Sequence, residues 1–183
     1  MTPSEGPLSG RRVVVTAGGT REPLDPVRYL GNRSSGKQGL ALAEAALAAG
    51  AQVHLIAGVM DVPAPAAQDR LTVETVETAE ELHAAVESAA AAADMLLMAA
   101  AVADFRPADY AEAKIKKTDD GTDPVIHLQR NPDILATTVR RRAERGTGPT
   151  VIVASPPRPA TRRTIRWTSH RPNCCARDAS CSC

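Results

Sequence analysis

The chain has 183 residues, enough for one domain with its own core, and because 43% of them are apolar but only 2% aromatic, that core must be built from Ala, Val, Leu and Ile. The formal net charge of +1 hides a split: residues 154–183 carry six Arg and one Asp, a net +5, which leaves −4 on the preceding 153 residues. No run approaches the roughly 20 apolar residues that cross a bilayer, and all four Cys fall at Cys174, Cys175, Cys181 and Cys183, so a membrane span and thiol catalysis in the body are excluded.

Residues 1–10 lack the basic-then-apolar order of a signal peptide, so a cytoplasmic chain with a disordered start is expected. Residues 12–17 (RVVVTA) are a β-branched run stopped by Gly18 and Gly19, the mark of a buried parallel strand entering a tight turn. A long loop, 18–36, precedes a helix over 36–49, with Ser34 or Ser35 as N-cap and Gly50 as C-cap. Residues 51–57 give a second strand, and a right-handed crossover packs the Ala-rich helix on the sheet. A helix over 79–93 opens with Glu80 and Glu81, which suit its positive end, and the wholly apolar run 95–103 reads as a central strand closed by Asp104. Residues 125–129 form a short strand, Asn131 caps a basic helix over 133–145 with Pro132 in its first turn, and Thr150 begins a further strand. The alternation predicts an α/β, Rossmann-like three-layer fold with a mostly parallel sheet.

Ligands of such sheets sit beyond the carboxyl ends of the strands, which directs attention to the loops after residues 17, 57, 103 and 153. The first, 18–36, far exceeds the usual two to six residues and holds Thr20, Arg21, Asp25, Arg28, Asn32, Arg33, Ser34 and Ser35. A helix opening at Ser34, Ser35 and Gly36 offers free N–H groups and a positive dipole end to an anion, and phosphate is the natural guest. Gly31 to Lys37 matches most of a P-loop, but Gln38 replaces the metal-binding hydroxyl and no strand end lies nearby, so a true P-loop is not expected. Beyond Asp104 and Arg106, three ammonium groups crowd at Lys114, Lys116 and Lys117; if extended, Lys114 and Lys116 share a side. The plain alternative for both loops is a solvated polar surface. His54 and His127 read as structural, His83 as a helix-surface residue, and the Cys spacing in the tail matches no common zinc arrangement, so no metal site is expected.

The segments VVVTAGGTREPLDPVRYLGNRSSGKQG (13–39), AAAVADFRP (99–107), KIKK (114–117) and NPDI (131–134) resemble, in order and spacing, the signatures of phosphopantothenoylcysteine synthetase, or phosphopantothenate–cysteine ligase. The resemblance covers residues 11–153, which it makes a nucleotide-binding synthetase domain. It implies a magnesium-assisted ligation in which the carboxylate of 4′-phosphopantothenate attacks the α-phosphate of CTP and the amine of cysteine then displaces CMP. It implies Asn32, with Arg28 beside it, as the group binding the reacting carboxyl, and Lys114 as the group that turns the acyl cytidylate over. Gly18, Gly19, Thr20, Ser34, Ser35, Gly36 and Lys37 would cradle phosphate; Ala100, Ala101, Asp104, Lys116 and Lys117 would hold nucleotide. It further implies a homodimer and, in many bacteria, a fused flavin-dependent decarboxylase domain, which this sequence lacks; no nucleic acid or membrane partner is expected.

After Val151, Ile152 and Val153 the family continues with a Gly-Phe-Ala-Ala-Glu-Thr type motif, whereas this chain turns to ASPPRPATRRTIRWTSHRPNCC. Such a jump is what a reading-frame shift in a GC-rich gene produces; a basic disordered tail is the alternative. Either leaves the fold truncated at its carboxyl end, the strand at Thr150 as an exposed edge and the nucleotide site incomplete, so weak or no ligase activity is expected. Two other readings compete. An NAD(P)-dependent reductase shares the TAGGT-like strand end, but of its Tyr-x-x-x-Lys signature only Tyr110 and Lys114 have the spacing, Tyr29 being followed by Arg33. A fragment that binds nucleotide without chemistry is the third.

Overall fold

The computed structural model describes residues 6–116 and 123–154. β1 (Arg12–Ala17) is buried at every position after Arg12, as its β-branched run requires. The segment beyond it is not an open loop: β2 (Arg21–Asp25) and β3 (Arg28–Gly31) form an antiparallel hairpin. Glu22 and Leu24 point inward while Pro23 is exposed, and Asp25-Pro26-Val27-Arg28 supplies the turn, with the Asp25 carboxylate accepting the Val27 N–H at 3.0 Å. Polar residues on a short strand concealed this hairpin from the hydrophobic pattern.

α1 (Lys37–Ala48) starts after Gly36, whose φ of 76° is left-handed, and neither Ser34 nor Ser35 caps it; the Ser34 hydroxyl instead accepts the Gly36 N–H at 3.4 Å. Its end is a Schellman closure, in which Gly50 (φ 94°), one residue beyond the cap Ala49, donates to Leu47 O and Ala51 to Ala46 O, each at 3.0 Å. β4 (Gln52–Ala57) comes next, and then β5 (Leu71–Thr75), an edge strand whose single buried residue, Leu71, gave the sequence no apolar run to betray it. α2 (Ala79–Ala90) stops short of residue 93 and opens on a full capping box between Thr78 and Glu81. β6 (Met95–Met98) is shorter than the apolar run 95–103 implied, because residues 99–104 leave the sheet to pack on the turn after β1.

β7 (Phe105–Pro107) pairs antiparallel with β8 (Leu128–Arg130), so the strand expected over 125–129 starts later and lies outside the main sheet, with Val125 and Ile126 exposed before it. α3 (Ile134–Arg145) is capped by Asp133, which accepts the Ala136 N–H at 2.9 Å, and not by Asn131. β9 (Val151–Ala154) closes the described chain.

The main sheet is wholly parallel in the order β5-β4-β1-β6-β9. α1 covers one face, against Val13, Val15, Val53 and Leu55; α2 and α3 cover the other, against Val14, Ile56 and Leu96, giving the expected three layers. Gly39 lets α1 lie close, since a Cβ there would sit 2.4 Å from Ala17 Cβ. Leu55, Leu82 and Leu96 have no exposure at all, and truncating any of them to Ala would cost about 2–5 kcal/mol. β9 is an edge strand in this sheet, with Val151 and Val153 half exposed.

Candidate functional site

The carboxyl ends of β1, β4 and β6 are laced together by backbone. Gly19 and Val59 exchange hydrogen bonds of 2.9 and 2.8 Å, Ala101 donates to Gly18 O at 2.8 Å, and Thr20 donates to Ala101 O at 3.3 Å. Side chains reinforce this: Thr16 Oγ1 accepts from Ala100 N at 3.2 Å and Thr20 Oγ1 from Ala103 N at 2.9 Å. Thr20 is fully buried and its hydroxyl accepts from Ala103 N, so in this structure its side chain braces the platform. Gly18 (φ 82°) is likewise packed, with Val59 O 2.8 Å from where a Cβ would be.

The hairpin β2–β3 carries the next residues over this platform. A Cβ on Gly19 would stand 2.5 Å from Asn32 O, so only glycine lets the chain pass here. Asn32 donates from Nδ2 to Val102 O at 2.8 Å, and its carbonyl oxygen has no partner among the described residues. Arg28 is gripped by Asp25 and donates to Ile115 O at 2.8 Å, which ties the hairpin to the segment holding Lys114 and Lys116. Asp25 is almost fully buried; the Arg28 guanidinium holds its carboxyl well below the usual carboxylate range, the Val27 and Ile115 N–H groups add to this, and burial opposes it.

α1 begins immediately beyond. No side chain caps it, whereas α2 has Thr78, Glu81 and the buried Glu22, whose carboxylate accepts from Ala79 N at 3.0 Å, and α3 has Asp133. The opening N–H groups of α1, next to exposed Lys37, thus have no side-chain cap, an arrangement that suits an outside anion. Gly31 does end a strand, contrary to expectation, but β3 is an arm of a hairpin and not of the parallel sheet, and Gln38 lacks a hydroxyl, so this is still not a P-loop.

Asp104 is exposed beside the platform, its carbonyl accepting from Asn131 N at 2.9 Å. Asn131, expected from the sequence as a helix cap, organises this loop instead: its Nδ2 donates to Ala103 O and its Oδ1 accepts from Arg106, both at 2.8 Å. Lys114 and Lys116 are exposed on either side of Ile115, and Lys117 lies outside the described residues, as do all four Cys and the tail. Hydrogen bonds join residues 25–32 to the segments around Val102 and Ile115, whereas among the described residues none joins residues 34–37 to those segments. An open groove of about 680 Å³ runs beside this region at the ends of β4 and β5, lined by Arg21, Met60, Val62, Thr75 and Glu77 and within the size range of small-molecule sites.

The remaining candidates lie elsewhere. His54 on β4 has Nε2 3.0 Å from a Glu74 carboxylate oxygen on the neighbouring edge strand β5, and His83 turns a buried Nε2 into the cleft between α2 and α3, although a helix-surface position was expected. Tyr110 and Lys114 fall on irregular chain between β7 and β8, not on the helix a reductase signature requires. No group of three His, Cys, Asp or Glu side chains gathers among the described residues, and no helix there is long and apolar enough to cross a membrane.

Residues 8–154 match the model of the DNA/pantothenate metabolism flavoprotein C-terminal domain. The chain is 56% identical over 137 residues to the Coenzyme A biosynthesis bifunctional protein CoaBC of Mycobacterium tuberculosis, covering 74% of this chain and 32% of that protein. It is 47% identical over 131 residues to the protein of the same description from Vibrio vulnificus, covering 72% and 32%. It thus spans about a third of the length of these relatives. The crystal structure of the C-terminal domain of a Coenzyme A biosynthesis bifunctional protein CoaBC superposes with a TM-score of 0.63 at 36% identity, covering 79% of this chain and 63% of that one. The chain belongs to the family of the DNA/pantothenate metabolism flavoprotein C-terminal domain and is similar to part of the bifunctional proteins of coenzyme A biosynthesis.

Proposed function

We propose that this domain carries the nucleotide and phosphate site of a CTP-dependent phosphopantothenate–cysteine ligase. The observation that carries the reading is the uncapped N-terminus of α1, set after a hairpin that presents Arg28 and Asn32 over the ends of β1 and β6. An acid activated as an acyl cytidylate needs its triphosphate neutralised and its carboxylate aligned with the α-phosphorus. The N–H groups of α1 and Lys37 supply the first requirement, together with Lys114 and Lys116; Asn32 and Arg28 supply the second.

In the first step a carboxylate oxygen of phosphopantothenate bonds to the α-phosphorus of CTP while the bond to the bridging oxygen breaks and pyrophosphate leaves. In the second the cysteine amine bonds to the acyl carbon, CMP leaves, and the amine proton is lost; Lys114 acts on this half of the sequence. Magnesium would enter with the triphosphate, and Asp104, exposed on the loop after β6, is the carboxylate that would help hold it, in keeping with the ion's habit of binding mainly through phosphates. When bound, it would neutralise developing charge on the phosphates.

The decisive assay is pyrophosphate release from CTP that depends on added phosphopantothenate, run beside ATP. Release with CTP supports the proposal; release with neither nucleotide, while NADPH binds, would move the reading to a reductase. Because residues 154–183 depart from the family pattern, turnover far below that of the intact relatives is expected. A homodimer is the assembly we expect for the working enzyme.

A further inference from the structure

Asp25 is only 3% exposed, yet its carboxylate gathers far more than a turn needs. Oδ1 accepts from Val27 N at 3.0 Å, and Oδ2 accepts from Arg28 Nε at 2.9 Å and from Ile115 N at 3.1 Å. Arg28 completes a ring by donating from Nη2 to both Asp25 Oδ2 (2.5 Å) and Ile115 O (2.8 Å). One carboxylate and one guanidinium therefore hold both polar groups of a residue 90 positions away in sequence. A second tie, Ala111 N to Leu24 O at 3.0 Å, runs between the same two segments. An Asx turn is satisfied by Val27 alone, and Arg28, 44% exposed, could simply be solvated. The extra bonds all serve the chain on which Lys114 and Lys116 sit.

We propose that Asp25 is a positioning residue that latches residues 111–116 onto the β2–β3 hairpin, so that Arg28, Lys114 and Lys116 face a phosphate-bearing ligand as one preset group. The inference rests on the ligase reading for the identity of that ligand, but the latch is a property of the free protein. Charge-assisted bonds of this kind are the strong ones, and losing the charge loosens both partners together.

The test uses the full chain and Asp25→Asn, which keeps the size of the side chain and the acceptor for Val27 but removes the charge. Amide hydrogen exchange at Ile115, tracked by NMR, should quicken by about tenfold or more, while amides of β1 and β4 keep their rates. Affinity for CTP, measured by calorimetry, should fall by about tenfold. In an Arg28→Gln background the same substitution should change CTP affinity little, because both act through one contact. Equal losses in the two backgrounds would show a general structural role and overturn the proposal, as would unchanged exchange at Ile115. If Asp25→Asn does not fold, Arg28→Gln alone must accelerate Ile115 exchange, and failure to do so is equally fatal. A parent chain that binds no CTP sinks the ligase reading, and Ile115 exchange then decides the latch by itself.

Discussion

Gly39 sits inside α1, where ordinary helix energetics favour replacing it: Ala is the better helix former by about 1 kcal/mol. The packing says the opposite. A Cβ at position 39 would lie 2.4 Å from Ala17 Cβ, 2.8 Å from Ala17 Cα and 2.9 Å from Thr16 O, two of them backbone atoms of the central strand that cannot swing aside. Ordinary carbon contacts are about 3.5–4.0 Å, so α1 must back away from β1 by more than about 1 Å, carrying its N-terminus with it. Overpacking of this kind costs about 1–3 kcal/mol, and with most of the helix gain forfeited we expect Gly39→Ala to be destabilising by about 1–2 kcal/mol. For a domain of this size that is a fall in melting temperature of roughly 2–8 °C, read by circular dichroism, with CTP affinity weakened in step because the opening N–H groups of α1 have moved. A Gly39→Ala protein as stable as the parent, or more so, would refute the close approach of α1 to the sheet.

Thr78→Ala removes the capping box of α2 and should cost about 1 kcal/mol in denaturant unfolding. Lys114→Gln should accumulate acyl cytidylate, detectable by quenching and mass analysis; product formation at the parent rate would remove Lys114 from the second step. Asp25 and Asp94 both have carboxyls held below their ordinary range, Asp25 chiefly by Arg28 and Asp94 chiefly by the Arg12 N–H. Depressed carboxylates contribute stability above the unfolded pKa of about 3.9 and lose it as pH falls below that value. Stability should therefore drop on acidification below about pH 4, and Asp94→Asn should flatten that drop.

Much of the parallel sheet was readable in the sequence, because β1, β4 and the start of β6 are apolar runs bounded by Gly or by helix patterns, and α1, α2 and α3 keep helical periodicity. The pieces that escaped are short and polar. The hairpin of β2 and β3 buries Glu22 and Asp25, which composition assigns to solvent, and β5 buries only Leu71. The run 95–103 misled in the other direction: its last residues are apolar because they pack on Thr20 and the turn after β1, not because they extend a strand. For the site, resemblance supplied Arg28, Asn32 and Lys114, while Asp25 and Asn131, whose side chains bind backbone far away in sequence, could be found only once the fold had brought those carbonyls and amides to them.

In the proposed ligase the open end of α1 and the lysines beside Ile115 serve one polyphosphate. A titration of the isotopically labelled chain with CTP, monitored by amide NMR, addresses it directly. Signals of Lys37, Gln38 and Gly39 should move together with those of Lys114, Ile115 and Lys116, along one binding curve. A response confined to one of the two groups, or two curves with different midpoints, would contradict the account.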